Sequence, residues 1–178
     1  MKVNAYWIGV KQLKKILFLL LFILFIVSII STTTNNTIDI QEYQEKHYEN
    51  VPEEYQKYFR LGEAITGFSG DIVAAIINNI ENPNWNIIAI NYNSNGTFDS
   101  GLCQHNSKYI EYFSYKYNNG ILYDPNNPAE AIIITFKILA DNYRQLNGDM
   151  NMTICSYNQG VNGVRNNGIN YNYLEKVI

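Results

Sequence analysis

Near the N-terminus, the fifteen residues Ile16–Ile30 form an apolar run broken only by Ser28 and preceded by Lys11, Lys14 and Lys15. No stretch constrains the chain more, because a segment of this kind enters a membrane and leaves only the later residues to build a domain in water. Positive residues ahead of the run hold that end in the cytoplasm and direct the remainder outward. Residues 1–31 therefore read as a signal peptide or a signal anchor. Fifteen residues fall short of the roughly 20 that span a bilayer, which suits cleavage. No Ala-x-Ala site comes after them, and Ser31-Thr32-Thr33 is a poor substitute, which suits an anchor. Both remain open. Either way the rest of the chain is expected to be exported, periplasmic or extracellular, with residues 16–30 as its contact with the membrane.

All sixteen Asp and Glu come after the run, together with nine of the thirteen Lys and Arg (all but Lys2, Lys11, Lys14 and Lys15), so the exported part carries a charge near −7. Nothing in it gathers the basic face that neutralising phosphates requires, which argues against a nucleic-acid partner. A neutral polymer or small ligand fits better. The two cysteines, Cys103 and Cys155, and the two histidines, His47 and His105, show no metal-site spacing, so no metal or other cofactor is assigned.

Residues 32–58 are polar and rich in Asn, Thr, Glu and Gln, the composition of a linker. Val51 and Pro52 interrupt its helix formers, so any helix there is expected to be short. From Phe59 to Ile178 helical periods alternate with Asn- and Gly-rich loops, the pattern of one mainly α domain. A first helix starts after Ser69, carries Val73, Ile76, Ile77 and Ile80 on one face and ends at Glu81. A second, from about Asn106 or Ser107, turns Ile110, Phe113 and Tyr117 inward and stops at Asn118-Asn119-Gly120. The third has Asn127 as its cap and Pro128 at its first position, with Ile132, Ile133, Phe136, Leu139, Ala140 and Tyr143 directed inward. A fourth runs from Asp149 to about Tyr157, with Gly160 beyond it. Between the first two helices lies a long Asn/Ser/Gly-rich stretch, residues 82–104, that suits an ordered loop or a small hairpin through Ser94-Asn95-Gly96.

Three short signals occur in order: Glu81-Asn82 at a helix end, Gly101-Leu102-Cys103-Gln104, and Ser156-Tyr157-Asn158-Gln159-Gly160. The set resembles the lytic transglycosylase and goose-type lysozyme-like domain of the lysozyme superfamily, whose pattern runs Glu-Ser, Gly-Leu-Met-Gln and Ala-Tyr-Asn-Ala-Gly. The resemblance extends through the loop Asn93–Leu102 and the closing segment Tyr171-Asn172-Tyr173-Leu174-Glu175-Lys176-Val177. The chain departs from it at Asn82 for Ser, Cys103 for Met, and Ser156 and Gln159 for Ala, none of which removes an ionisable group.

The resemblance implies a lysozyme-like α-helical fold and cleavage of the β-1,4 bond between MurNAc and GlcNAc in peptidoglycan strands, without cofactor or metal. It makes Glu81 the acid and base, with the MurNAc 6-hydroxyl attacking C1 to give a 1,6-anhydro sugar. Asn82, Gly101, Leu102, Gln104, Tyr157, Asn158 and Tyr171 become the substrate-binding candidates. An apolar setting after Ile76, Ile77 and Ile80 is what would keep such an acid protonated near neutral pH. Asp99 has two readings, a brace for its loop or a second carboxylate orienting water. Two further functions stay in view: a hydrolytic lysozyme, and a glycan-binding subunit of an envelope complex that does not cut. The family also sets the Gly-Leu-Cys-Gln and Ser-Tyr-Asn segments on adjoining walls, which brings Cys103 near Cys155, either bridged or as free thiols.

Overall fold

The computed structural model describes residues 50–178; the segment expected to be a signal or anchor and most of the expected linker lie outside the described residues. Six α-helices and one small sheet make up these residues, the mainly α architecture expected. Helix α1, Glu53–Thr66, starts directly after Pro52. A proline costs nothing where the first helical N–H groups have no partner, so the residue expected to interrupt a helix instead begins one. Glu53 and Glu54 in its first turn complement the helix dipole, and Gly67 at φ 68° closes it. Val51 is buried, and the linker boundary placed at Tyr58 from composition falls inside α1. Gly62 lets α1 approach the central helix: a Cβ there would lie 2.2 Å from the Phe136 ring.

Helix α2, Gly70–Ile76, begins after Ser69, whose hydroxyl makes no capping bond; the Glu63 carboxylate instead accepts from the Gly70 N–H at 2.5 Å. It runs on into a π-helical turn, Ile77–Glu81. Strands β1 (Ile90–Tyr92) and β2 (Phe98–Ser100) form the hairpin expected from the sequence, with Gly96 at φ 84° in its turn. A two-residue strand β3, His105–Asn106, pairs with β2 on its other side. A 3-10 turn, Ser107–Tyr109, leads into α3, Ile110–Tyr117. Ile110, Phe113 and Tyr117 are partly buried against the core, and the small residue Ser114 is the most deeply placed of this helix.

Helix α4, Pro128–Gln145, is the central element, capped by the Asn127 side chain, which accepts from the Ala129 N–H. Ile132, Phe136 and Leu139 are wholly buried as its periodicity requires. Tyr143 is not a core residue: it is 36% exposed and meets Phe68 edge-on at the helix margin. Helix α5, Met150–Asn167, is capped by Asp149 and broken at Gly160, whose φ 71° and ψ 161° are not helical. Gly160 is thus a kink rather than the expected end, and the chain resumes helix immediately after it. Helix α6, Tyr171–Val177, closes the domain by burying Tyr173, Leu174 and Val177. Trp85 packs in this core, 5.9 Å from Tyr55 and 6.2 Å from Phe59. Among the described residues no helix is long and apolar enough to cross a membrane.

Candidate functional site

Glu81 ends the π turn, where the Asn82 N–H reaches back five residues to the Ile77 carbonyl at 2.8 Å. Such turns recur at functional sites because the extra residue re-aims a side chain that a regular helix would point elsewhere. Glu81 thereby faces a groove of about 770 Å³ that also receives Asp99, Gln104, Tyr157 and Asn158. Burial opposes its ionisation and pushes its carboxyl from the usual 4.5 up to about 7. The negative charge of Asp99 acts in the same direction, whereas the Tyr173 hydroxyl, donating to Glu81 Oε1 at 3.0 Å, favours the carboxylate.

The wall facing Glu81 is a set of tied polar groups. Gln104 sits at φ 50°, its Nε2 donating to the Gly101 carbonyl at 2.7 Å and its Oε1 accepting from Asn91 Nδ2 at 2.6 Å. Asp99 accepts from Asn106 Nδ2 at 2.7 Å on one oxygen and from Asn93 Nδ2 at 3.1 Å on the other. One oxygen thus ties the hairpin turn and the other strand β3, the bracing pattern that is one of its two readings. From α5 the Tyr157 hydroxyl donates to the Cys103 carbonyl at 2.6 Å, joining the two motif segments across the groove. Asn158, next along, is exposed within it.

Other candidate residues from the sequence stand behind this wall. Asn82 is only 5% exposed; its Nδ2 donates to the Asn86 carbonyl at 2.7 Å and to the Gly101 carbonyl at 3.3 Å, linking the end of the Glu81 turn to the Gly-Leu-Cys-Gln loop. Gly101 has φ 76°, and a Cβ there would fall 1.8 Å from the Pro125 carbonyl oxygen, so no other residue fits. Leu102 is fully buried in the core. Tyr171 is 65% exposed and lies off the groove; the tyrosine that reaches Glu81 is Tyr173. Helical spacing within the closing segment discriminates them, since Tyr173, Leu174 and Val177 share the buried face and Tyr171 does not. Cys103 and Cys155 are free thiols, both buried, so the bridged alternative is not formed. Burial pushes the Cys103 thiol up to about 12, leaving it unreactive.

One buried residue has a role that no sequence signal marks. His105 comes directly after Gln104 and lies between the rings of Phe113, Tyr123 and Tyr157. Its Nε2 is 3.0 Å from Thr135 Oγ1 and its Nδ1 2.5 Å from the Tyr123 hydroxyl. Thr135 gives its proton to the Ala131 carbonyl, which makes Nε2 the donor and Nδ1 the acceptor of the Tyr123 proton. Burial lowers His105 to about 3, so the ring stays neutral and anchors the loop behind Gln104.

Together these groups can hold an extended polar chain and deliver a proton to it from one carboxyl. A family model described as the transglycosylase SLT domain matches residues 66–176, well over half of the chain. No curated protein and no solved structure matches it.

Proposed function

The chain belongs to the transglycosylase SLT domain family, and on that premise we propose that it cleaves the MurNAc–GlcNAc β-1,4 bond of peptidoglycan by lytic transglycosylation, with Glu81 as the single acid and base. The observation that carries the reading is Glu81 itself, a half-buried carboxyl at the groove with its titration raised to about 7. Protonated Glu81 gives its proton to the glycosidic oxygen as the bond from that oxygen to C1 of MurNAc breaks. The carboxylate so formed takes the proton of the MurNAc 6-hydroxyl while O6 bonds to C1, closing the 1,6-anhydro ring. No water is consumed, and Glu81 ends protonated as it began. Burial favours the acid before the step and the Tyr173 hydrogen bond favours the carboxylate within it, the balance an acid that is also a base requires.

The two asparagine amides on Asp99 support a bracing role and hence a one-carboxyl mechanism. Gln104, Tyr157 and Asn158 contact the glycan, whereas Asn82, Gly101 and Leu102 position the wall behind them. Residues 16–30 carry the domain across the cytoplasmic membrane as a signal or anchor, which a C-terminal reporter active only in the cytoplasm would contradict. The chemistry is tested by mass spectrometry of muropeptides released from purified sacculi. The expected products lack one water relative to hydrolysis products. Products that carry that water make Asp99 a second carboxylate and the protein a hydrolytic lysozyme.

A further inference from the structure

The groove continues past Glu81 along a row of rings. Phe113 lies 6.0 Å from Tyr109 and 6.1 Å from Tyr117, and all three line it. Tyr117 and its neighbour Lys116 also line a second hollow, about 660 Å³, between the end of α1, α3 and α4. The two cavities thus share a wall. Three cations, Lys116, Lys137 and Arg144, line the second one together with a single carboxylate, Asp141, which pairs with Lys116 and Arg144. Lys116 Nζ is 2.5 Å from Asp141 Oδ2, and Arg144 is 3.4 Å from Oδ1 with its side chain largely in solvent. Lys137 donates to the Tyr117 carbonyl at 2.7 Å, a neutral partner. Three cations against one carboxylate leave the hollow positive, on a domain whose charge elsewhere is strongly acidic. Phe68 and Met150 add apolar lining. A neutral sugar has no use for that charge. An acidic peptide has, and the strand in the adjoining groove carries one on each lactyl ether it retains.

We propose that this second cleft binds the acidic peptide side arm of the glycan strand, with Lys137 and Arg144 receiving its carboxylates. The assignment rests on the proposed cleavage of peptidoglycan, and it makes the protein selective for strands that still carry their peptides. Lys116 is left out of the test because it also lines the glycan groove. The full chain and its K137Q/R144Q variant, shown by circular dichroism to be folded alike, are assayed on sacculi and on the same sacculi stripped of peptides by an amidase. Binding of the released peptides is measured by calorimetry. The wild-type chain is expected to cut peptide-bearing strands about tenfold more efficiently than stripped ones, the scale of two solvent-accessible ion pairs. The variant loses that preference, cuts stripped strands as the wild type does, and binds free peptide about tenfold more weakly. Equal effects on both substrates, or unchanged peptide binding, overturn the assignment. So does loss of binding to anionic phospholipid vesicles with the peptide preference intact, which gives the cleft to a lipid headgroup. If neither substrate is cut yet free peptide is bound through Lys137 and Arg144, the Glu81 reading fails and the cleft assignment stands.

Discussion

Glu81 and His105 are both titratable groups taken out of water beside the same groove, and they behave in opposite ways. His105 has a partner on each ring nitrogen and a single consistent tautomer, and its titration is driven down to about 3. Glu81 accepts one hydrogen bond from a side chain, from Tyr173, and its titration is driven up to about 7. Burial disfavours the charged form in each. For the histidine the result is a group that stays neutral across physiological pH, and for the glutamate one that changes state within it. Burial alone therefore does not mark function; burial that moves a titration into the working range does.

The two also impose opposite pH dependence on folding. Glu81 is raised in the folded state, so the native protein binds more protons than the unfolded chain and stability falls as pH rises from 4.5 to about 7. His105 is depressed, so the unfolded chain binds more protons and stability falls as pH drops from 6.5 to about 3. Between pH 4.5 and 6.5 the slopes oppose each other.

The largest expected effect is on turnover. Glu81→Gln keeps shape but cannot give and recover a proton, so cleavage of sacculi should fall by about 10² to 10⁴-fold, and a residual rate above roughly a tenth contradicts the role. His105→Ala should instead cost about 3 kcal/mol of stability in chemical denaturation, because it opens a cavity and strands the Tyr123 and Thr135 hydroxyls. A change under roughly 1 kcal/mol would mean that the ring is not an anchor. Glu81→Gln should gain stability above pH 7, on the order of 2 to 3 kcal/mol, with little difference below pH 4.5. In that variant the histidine slope is no longer opposed, so stability should rise between pH 4.5 and 6.5 by up to about 1.4 kcal/mol per unit; a flat profile there denies the opposition. Tyr173→Phe removes the bond that favours the carboxylate. The fall of activity on the alkaline side should then move to higher pH, with a stability cost of about 1 kcal/mol. Tyr171→Ala, on the exposed face of α6, should alter stability by less than about 0.5 kcal/mol and leave that limb in place.

Local rules suffice wherever one residue type has one conformational use. Asn127-Pro128 and Asp149 mark helix starts because a side-chain acceptor meets free N–H groups there; the Asn127 cap stands where expected, and Asp149, expected to open its helix, caps it. Gly96 between alternating residues likewise marks the hairpin. Pro52 misleads because a proline that ends one helix serves as well to begin another, and only the burial of Val51 and Phe59 decides which. At the site, motif order finds Glu81, Gln104, Tyr157 and Asn158, which do share the groove. Proximity along the motif does not separate residues that line the groove from those behind it: Asn82, Leu102 and Gln104 are all buried, and only Gln104 of the three lines the groove. The tautomer of His105 and the cationic cleft depend on contacts between distant segments, and no local pattern encodes them.

The central claim, that Glu81 is an acid still protonated near neutral pH, is tested most directly by following its side-chain carboxyl by carbon-13 NMR as pH is varied. The resonance is assigned by its absence from Glu81→Gln. A midpoint near 7 is expected from its burial at the groove. A midpoint near 4.5, the value of a solvated glutamate, would mean that the carboxyl is already ionised when the glycosidic oxygen needs its proton, and would contradict the role assigned to it.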